Sequence, residues 1–315
     1  MNAAGTAKSV LLNSSLAHPL HPLLHPDTWA PLRRFARKTA ITRNAMDAVW
    51  TFGTSSPFLG EGSTGLRDGM REMGGLVRAI LPKSLLLGIR ARREIRDGEP
   101  ALRLLPALLG DGGTFVDIGG NLGLYSSHAC RYASDVHIFE PNPDLSEKLR
   151  SAFGDRARVH EIALSDQAGR VTFRIPRRNR RDLHRRGSIE PCDAAEFDEV
   201  RTLEVNRRPL DDFAFPEIAA IKIDVAGHEL SVLRGAEGTL SRLSPAIIVE
   251  VEEFRQPGRF ARIRGFLRDR GYDGFQVLRD ELRPLGALAP ERDPRRMTNF
   301  LFAHPRRKYG LAAGS

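Results

Sequence analysis

From Gly113 onward the chain alternates short apolar runs with helix-like segments, and this alternation constrains the fold more than any other feature. Thr114–Ile118 reads as an apolar strand, followed by a glycine turn and a helix from about Leu122 to Tyr132. Val136–Phe139 reads as a second strand. Pro143 then opens a helix through Leu149, with Asn142 placed to cap it. Val159–Ala163, Ile218–Val225 and Ala246–Val251 read as three further strands, and Leu230, Val232, Leu233, Ala236 and Leu240 mark a helix between the last two. Alternation of this kind predicts an α/β fold, a parallel sheet wrapped by helices. Two extra strand-like pieces, Arg170–Ile175 and Arg201–Asn206, lie in an insertion spanning 166–208. Phe275–Leu278 and Asn299–Ala303 complete the pattern.

The chain before this region reads differently. Residues 1–28 carry few charges and three His-Pro pairs, which predicts a disordered or extended tail. Because Pro follows His18, His21 and His25, a helical metal site there is not expected. Residues 29–110 read as a helical N-terminal extension ending in a short helix over Pro100–Leu109, which Pro106 should kink or split. The main domain is expected over 111–304, with a basic tail over 305–315.

The glycine turn, Asp117-Ile118-Gly119-Gly120-Asn121-Leu122-Gly123, carries the first chemical signal. Gly119 permits a tight turn, and the following helix start offers unpaired N–H groups to a ligand. Asn121 breaks the dinucleotide pattern G-x-G-x-x-G. A carboxylate at the strand tip, Asp117, suits the ammonium and sulfonium charges of S-adenosylmethionine instead. Glu140 ends the second strand 23 residues later, where an acid commonly takes ribose hydroxyls. The competing reading is that Asp117 and Glu140 only cap helices.

FVDIGGNLGLYS (115–126), FEPNP (139–143), ALSD (163–166), PLDDF (209–213), IKIDVAGHELSVLRGA (221–236) and TNFLF (298–302) occur in order. Together they resemble the FkbM family of class I methyltransferases. The resemblance implies a seven-stranded, mostly parallel Rossmann-like sheet whose last strand is antiparallel. It implies S-adenosyl-L-methionine as donor and a hydroxyl acceptor on a sugar, glycan or natural product. Carried onto these motifs, it places the donor among Asp117, Gly119, Gly120, Asn121, Gly123, Glu140, Asn142, Ala163, Leu164 and Asp224. One departure stands out: the family block reads IDVEG, and this chain has Ala226 where the Glu belongs.

At the fourth strand the period of two puts Lys222 and Asp224 on one side, with Asp224 at the tip. Asp224 is expected to orient donor or acceptor. His228, at the start of the next helix, is a candidate general base or, equally, a helix cap. Lys222 is a candidate catalytic residue or a structural partner of Asp224 or Glu250. No metal ligand set is expected.

Composition fits an enzyme of ordinary kind, with 41 % hydrophobic and 28 % charged residues. Cys130 and Cys192 are too few for a disulfide framework and read as reduced thiols. No run nears the roughly 20 apolar residues of a membrane span. Asn13, Ser14 and Ser15 interrupt any signal-like stretch, so a cytoplasmic protein is expected. Of the net charge of +9, the segment RRNRRDLHRR (177–186) supplies +5. It reads either as a solvated, mobile loop or as a grip on an anionic acceptor. Two other functions stay open. An RNA methyltransferase suits the charge, but the Asn/Asp-Pro-Pro-aromatic motif and any RNA-binding module are missing, which disfavours a nucleic-acid partner. A non-catalytic protein keeping the fold rests on Ala226 alone.

Overall fold

The computed structural model describes residues 10–11, 99–110, 112–191, 196–253, 257–279, 281–287 and 299–309. The expected helical extension therefore lies outside the described residues except for its last turns, as do His18, His21, His25 and Cys192.

The strands are β1 (Val10–Leu11), β2 (Thr114–Ile118), β3 (Asp135–Phe139), β4 (Arg158–His160), β5 (Ala163–Leu164), β6 (Gly169–Arg178), β7 (Arg181–Asp182), β8 (Glu199–Arg208), β9 (Ala220–Ile223), β10 (Ala246–Glu250), β11 (Asp273–Val277), β12 (Glu281–Pro284) and β13 (Asn299–Ala303). The α-helices are α1 (Leu105–Leu108), α2 (Leu124–Ala129), α3 (Pro143–Phe153), α4 (Glu229–Arg234), α5 (Glu237–Leu243) and α6 (Arg259–Arg268).

The main sheet runs β1-β12-β11-β13-β10-β9-β2-β3-β4. From β10 to β4 every pairing is parallel, and β13 runs antiparallel between β10 and β11. The seven strands from β11 to β4 match the expected Rossmann-like order with its antiparallel last strand. The sheet has nine strands rather than seven because β12 folds back on β11 and β1 adds to that edge. Val10–Leu11 thus pair in the sheet although they fall in the segment expected to be a tail.

Both faces are buried, as a parallel sheet requires. On one face Val116, Ile118, Ile221, Ile223, Ile247 and Val249 pack with Val232, Leu233 and Leu240 of α4–α5 and Ile263 and Leu267 of α6. On the other, Phe115, Ile138, Ala220, Ala246 and Ile248 pack with Tyr125, Leu149 and the segment before the first core strand. That segment is a 3-10 helix, Pro100–Leu104, followed by α1, the division falling next to Pro106. Its Leu102, Leu104, Leu105 and Leu109 are fully buried. At about 1.5–3 kcal/mol per buried leucine, they bind this segment to the domain. The expected boundary at residue 111 therefore falls inside the packed unit.

Four local readings need correction. The helix after the glycine turn starts at Leu124, not Leu122, because Gly123 takes a left-handed φ of 78° at its N-cap. The expected strand Val159–Ala163 is two strands: β4 ends at His160, the backbone turns with Ile162 N–H donating to His160 O, and β5 joins a second sheet. The single helix expected after the fourth strand is split into α4 and α5 at Gly235. A Cβ there would lie 1.9 Å from the carbonyl oxygen of Ser165, so the backbone passes too close for any other residue. Finally, the Arg-rich segment is an ordered hairpin. β6 and β7 turn on Asn179 and Arg180, both at positive φ, the signature of a two-residue primed turn.

The second sheet, β5-β8-β6-β7, is built on the ten-residue antiparallel pair β6/β8. It holds its own small core of Ala163, Phe173, Ile175 and Val205.

Candidate active site

Core strands β2, β3 and β9 end side by side, and the second sheet stands against those ends. Between them lies a small open cleft. Its floor is Ile118, Gly119, Asn121 and Glu140, its far wall Asp224, Val225, Ala226 and His228, and its near wall Ala163, Leu164, Phe173, His184 and the stretch Gly187–Ile189.

The sequence-predicted residues divide into four groups. Gly119, Asn121, Glu140, Ala163, Leu164, Asp224 and His228 meet around this one cleft. Gly120 and Gly123 serve packing: a Cβ would come 2.2 Å from Ile138 at the first and 2.6 Å from Phe153 at the second. Asn142 is the N-cap of α3, its side chain accepting from Asp144 N–H at 3.1 Å, as its position before Pro143 implied.

Asp117 and Lys222 lie on the opposite face of the strands, paired in register across β2 and β9. The Asp117 carboxylate is buried and accepts from Ser126 N–H at 3.1 Å and Ser126 Oγ–H at 2.5 Å. It anchors the first turn of α2. Burial pushes its pKa up, against the Ser126 bonds and the Lys222 charge. The Lys222 ammonium is likewise buried, 3.5 Å from Asp224 and 4.7 Å from the Tyr125 ring centre. Desolvation pulls its pKa down, but Asp224, Glu250 and Asp117 outweigh it and the net direction is up. Lys222 is thus a fixed cation behind the cleft that steadies Asp224.

Glu140 is the central acid of the floor. One carboxylate oxygen accepts from Asn121 N–H at 2.8 Å and the other from Asn142 N–H at 2.9 Å. Only 4 % of it is exposed. Desolvation raises its pKa to about 7, the two backbone bonds opposing and Asp117 and Asp224 adding to the rise. Each oxygen keeps a lone pair for a further donor. Beside it, Asn121 sits at φ 48°, and its side-chain oxygen is buried with no hydrogen-bond partner among the described residues. A floor rich in acceptors fits a ligand that brings hydroxyl donors, as a ribose does. The residues present therefore fit S-adenosylmethionine at this end.

The far wall holds His228, whose ring does not cap α4. Its Nδ1 is 2.6 Å from Glu190 Oε1 and its Nε2 is 3.0 Å from Ser165 Oγ. Ser165 lies in the ALSD motif, which assigns it no role, and no pattern marks Glu190; the two lie 63 and 38 residues from His228. Before it, Ala226 adopts a left-handed φ of 44°. Glu229, which follows, turns inward to accept from Gly227 N–H at 2.7 Å and holds the turn.

Three of the six arginines of the Arg-rich segment are engaged. Arg177 meets Asp182 at 2.8 Å and Glu199 at 2.7 Å. Arg178 and Arg186 lie over the Phe197 ring. Arg180 and Arg181 stand exposed at the turn. Among the described residues no group of three or more His, Cys, Asp or Glu is arranged to hold a metal ion, and no helix is long and apolar enough to cross a membrane.

Residues 117–273 match the methyltransferase FkbM domain. The chain carries an FkbM methyltransferase domain. The chain is 28 % identical over 166 residues to the hexuronic acid methyltransferase AglP of Haloferax volcanii, covering 50 % of this chain and 64 % of that protein. It is 33 % identical over 145 residues to the 2-O-methyltransferase NoeI of Sinorhizobium fredii, covering 40 % of this chain and 58 % of that one. The chain thus spans less than two thirds of the length of either relative. Among solved structures, a methyltransferase FkbM from Methylobacillus flagellatus KT is similar at 19 % identity and a TM-score of 0.41, covering 61 % of this chain and 44 % of that one.

Proposed function

We propose that the FkbM domain transfers a methyl group from S-adenosylmethionine to a hydroxyl of an acidic sugar or glycan. The observation that carries this reading is the cleft floor, where Glu140 and the unpartnered Asn121 oxygen offer acceptors to the donor's ribose hydroxyls. Ala163 and Leu164 supply an apolar wall for its base. When bound, the donor supplies the electrophilic methyl group. The chain's own residues bind and orient both molecules and take up the hydroxyl proton, for which His228 is the cleft's candidate base.

The acceptor class rests on two supports. One relative is named for a hexuronic acid and the other for a 2-O position. The exposed Arg180 and Arg181 also stand on the hairpin that continues into the cleft wall at His184 and Gly187. Arginine suits a carboxylate through its paired donors. The test offers the full chain S-adenosylmethionine with methyl β-D-glucuronide or methyl β-D-glucoside and measures the methylated product by mass. Methylation of the glucuronide in preference supports the reading. Equal turnover of both sugars removes the acidic acceptor, and no product from either counts against the activity.

A further inference from the structure

His228 stands in a chain of four polar side chains that joins the cleft to solvent. Glu190 Oε1 lies 2.6 Å from Nδ1, Ser165 Oγ lies 3.0 Å from Nε2, and Asp166 Oδ1 lies 3.1 Å beyond Ser165 Oγ. Ser165 is fully buried, whereas Asp166 is exposed. The chain is anchored from both sides. Ser188 Oγ donates to Ala226 O at 3.0 Å and accepts from Glu190 N–H at 3.0 Å, which ties the Glu190 segment to the turn before His228.

The proton count of Ser165 decides what such a chain can do. A serine hydroxyl donates one proton, yet two acceptors flank this one. When Ser165 donates to His228 Nε2, the ring is neutral and its Nδ1–H is held by Glu190. When Ser165 turns to donate to Asp166, the Nε2 lone pair is released. The Glu190 carboxylate stays ionised in either setting, its pKa lowered by the His228 bond against desolvation and further by Arg259 and Arg174.

We propose that Glu190, Ser165 and Asp166 are positioning residues that make His228 Nε2 the proton acceptor of the reaction and carry the proton on to solvent. This rests on the proposed O-methylation. As the acceptor oxygen gains the methyl and the sulfonium becomes a neutral thioether, the hydroxyl proton moves to Nε2. The imidazolium, stabilised by Glu190, then gives that proton to Ser165 Oγ, while the original Ser165 proton passes to Asp166 and to water. Charge and atoms balance, and the ring returns to its starting tautomer. The arrangement follows the division of labour of an acid–histidine pair, in which the acid fixes the tautomer and steadies the charged ring.

The test has two arms on the full chain. In the first, ¹⁵N NMR of the histidine rings, with His228 assigned by its loss in His228→Gln, reads the tautomer without donor or acceptor. The relay predicts the Nδ1–H tautomer at high pH. It also predicts that this preference is lost in Glu190→Leu, which leaves Nδ1 without its acceptor, and kept in Glu190→Asp. An Nε2–H tautomer in the wild-type chain, or an unchanged preference in Glu190→Leu, overturns the proposal. In the second arm, Glu190→Gln lowers kcat for the glucuronide by about 10–100-fold with the acceptor KM within about threefold, and Ser165→Ala lowers kcat in the same sense. Unchanged kcat in both variants overturns it as well. If wild-type chain shows the predicted tautomer yet transfers no methyl, the proposed activity fails while the arrangement of His228 stands.

Discussion

Replacing Glu140 with Gln should make the protein's stability less dependent on pH, and the size of the effect follows from the cleft floor. Burial raises the Glu140 pKa from 4.5 to about 7 in the folded chain. The folded state therefore holds this proton more tightly than the unfolded state. Its contribution to stability is fully present below pH 4.5 and is lost as pH rises through 7. Between pH 5 and pH 8 the loss amounts to about 2.5 kcal/mol. Gln cannot ionise, so the variant escapes this loss. Gln also carries one acceptor where the carboxylate has two, leaving Asn121 N–H or Asn142 N–H without its partner. That penalty of about 1–3 kcal/mol is the same at every pH and cancels in the difference. Urea unfolding of both proteins at pH 5 and pH 8 supplies the four free energies needed. The variant should gain about 2.5 kcal/mol on wild type between the two pH values. Parallel pH curves would refute the reasoning, since they would mean Glu140 is ionised in the fold at pH 5.

Three other substitutions test the surrounding geometry. Gly119→Ala should destabilise by more than about 2 kcal/mol in thermal or urea unfolding, because φ is +79° and the new Cβ would lie 2.0 Å from Asp224 O. Ser126→Ala should cost about 1.5–3 kcal/mol by removing the hydroxyl bond to the buried Asp117 carboxylate, and a loss under about 0.5 kcal/mol would contradict the anchoring role. Ala226→Gly should be neutral to about 1 kcal/mol stabilising, since relief of the left-handed φ of 44° outweighs the added chain entropy. Destabilisation by more than about 1 kcal/mol would contradict strain at that turn.

How much of this was legible in the sequence varies with the range of the interaction. The order of the core strands was readable because each is a short apolar run ended by a turn, and Asn142 before Pro143 announced its helix cap. The split of Val159–Ala163 was not readable. The run is apolar at both ends, and no Gly or Pro marks the turn at Glu161 and Ile162. Glu140 was found because an acid at a strand tip is a local signal. Asp117 carries the same signal, but its partner Ser126 lies nine residues on, in the first turn of α2, and the two roles look alike in the sequence. Ser165, Glu190 and their meeting at His228 depend on the second sheet folding over the strand ends, which no spacing encodes. The Arg-rich segment misled through composition. Asp182, Glu199 and Phe197 engage three of its arginines, and two of those partners lie beyond the segment itself.

The central claim is that the cleft over Glu140 receives S-adenosylmethionine. Calorimetric titration of S-adenosylmethionine into the full chain tests it most directly, with Glu140→Ala as the comparison. Wild type should bind one equivalent. The variant should bind at least about tenfold more weakly, the effect of losing charged hydrogen bonds worth about 1.5–3 kcal/mol. Failure of the wild-type chain to bind, or equal affinity in the variant, would contradict the account.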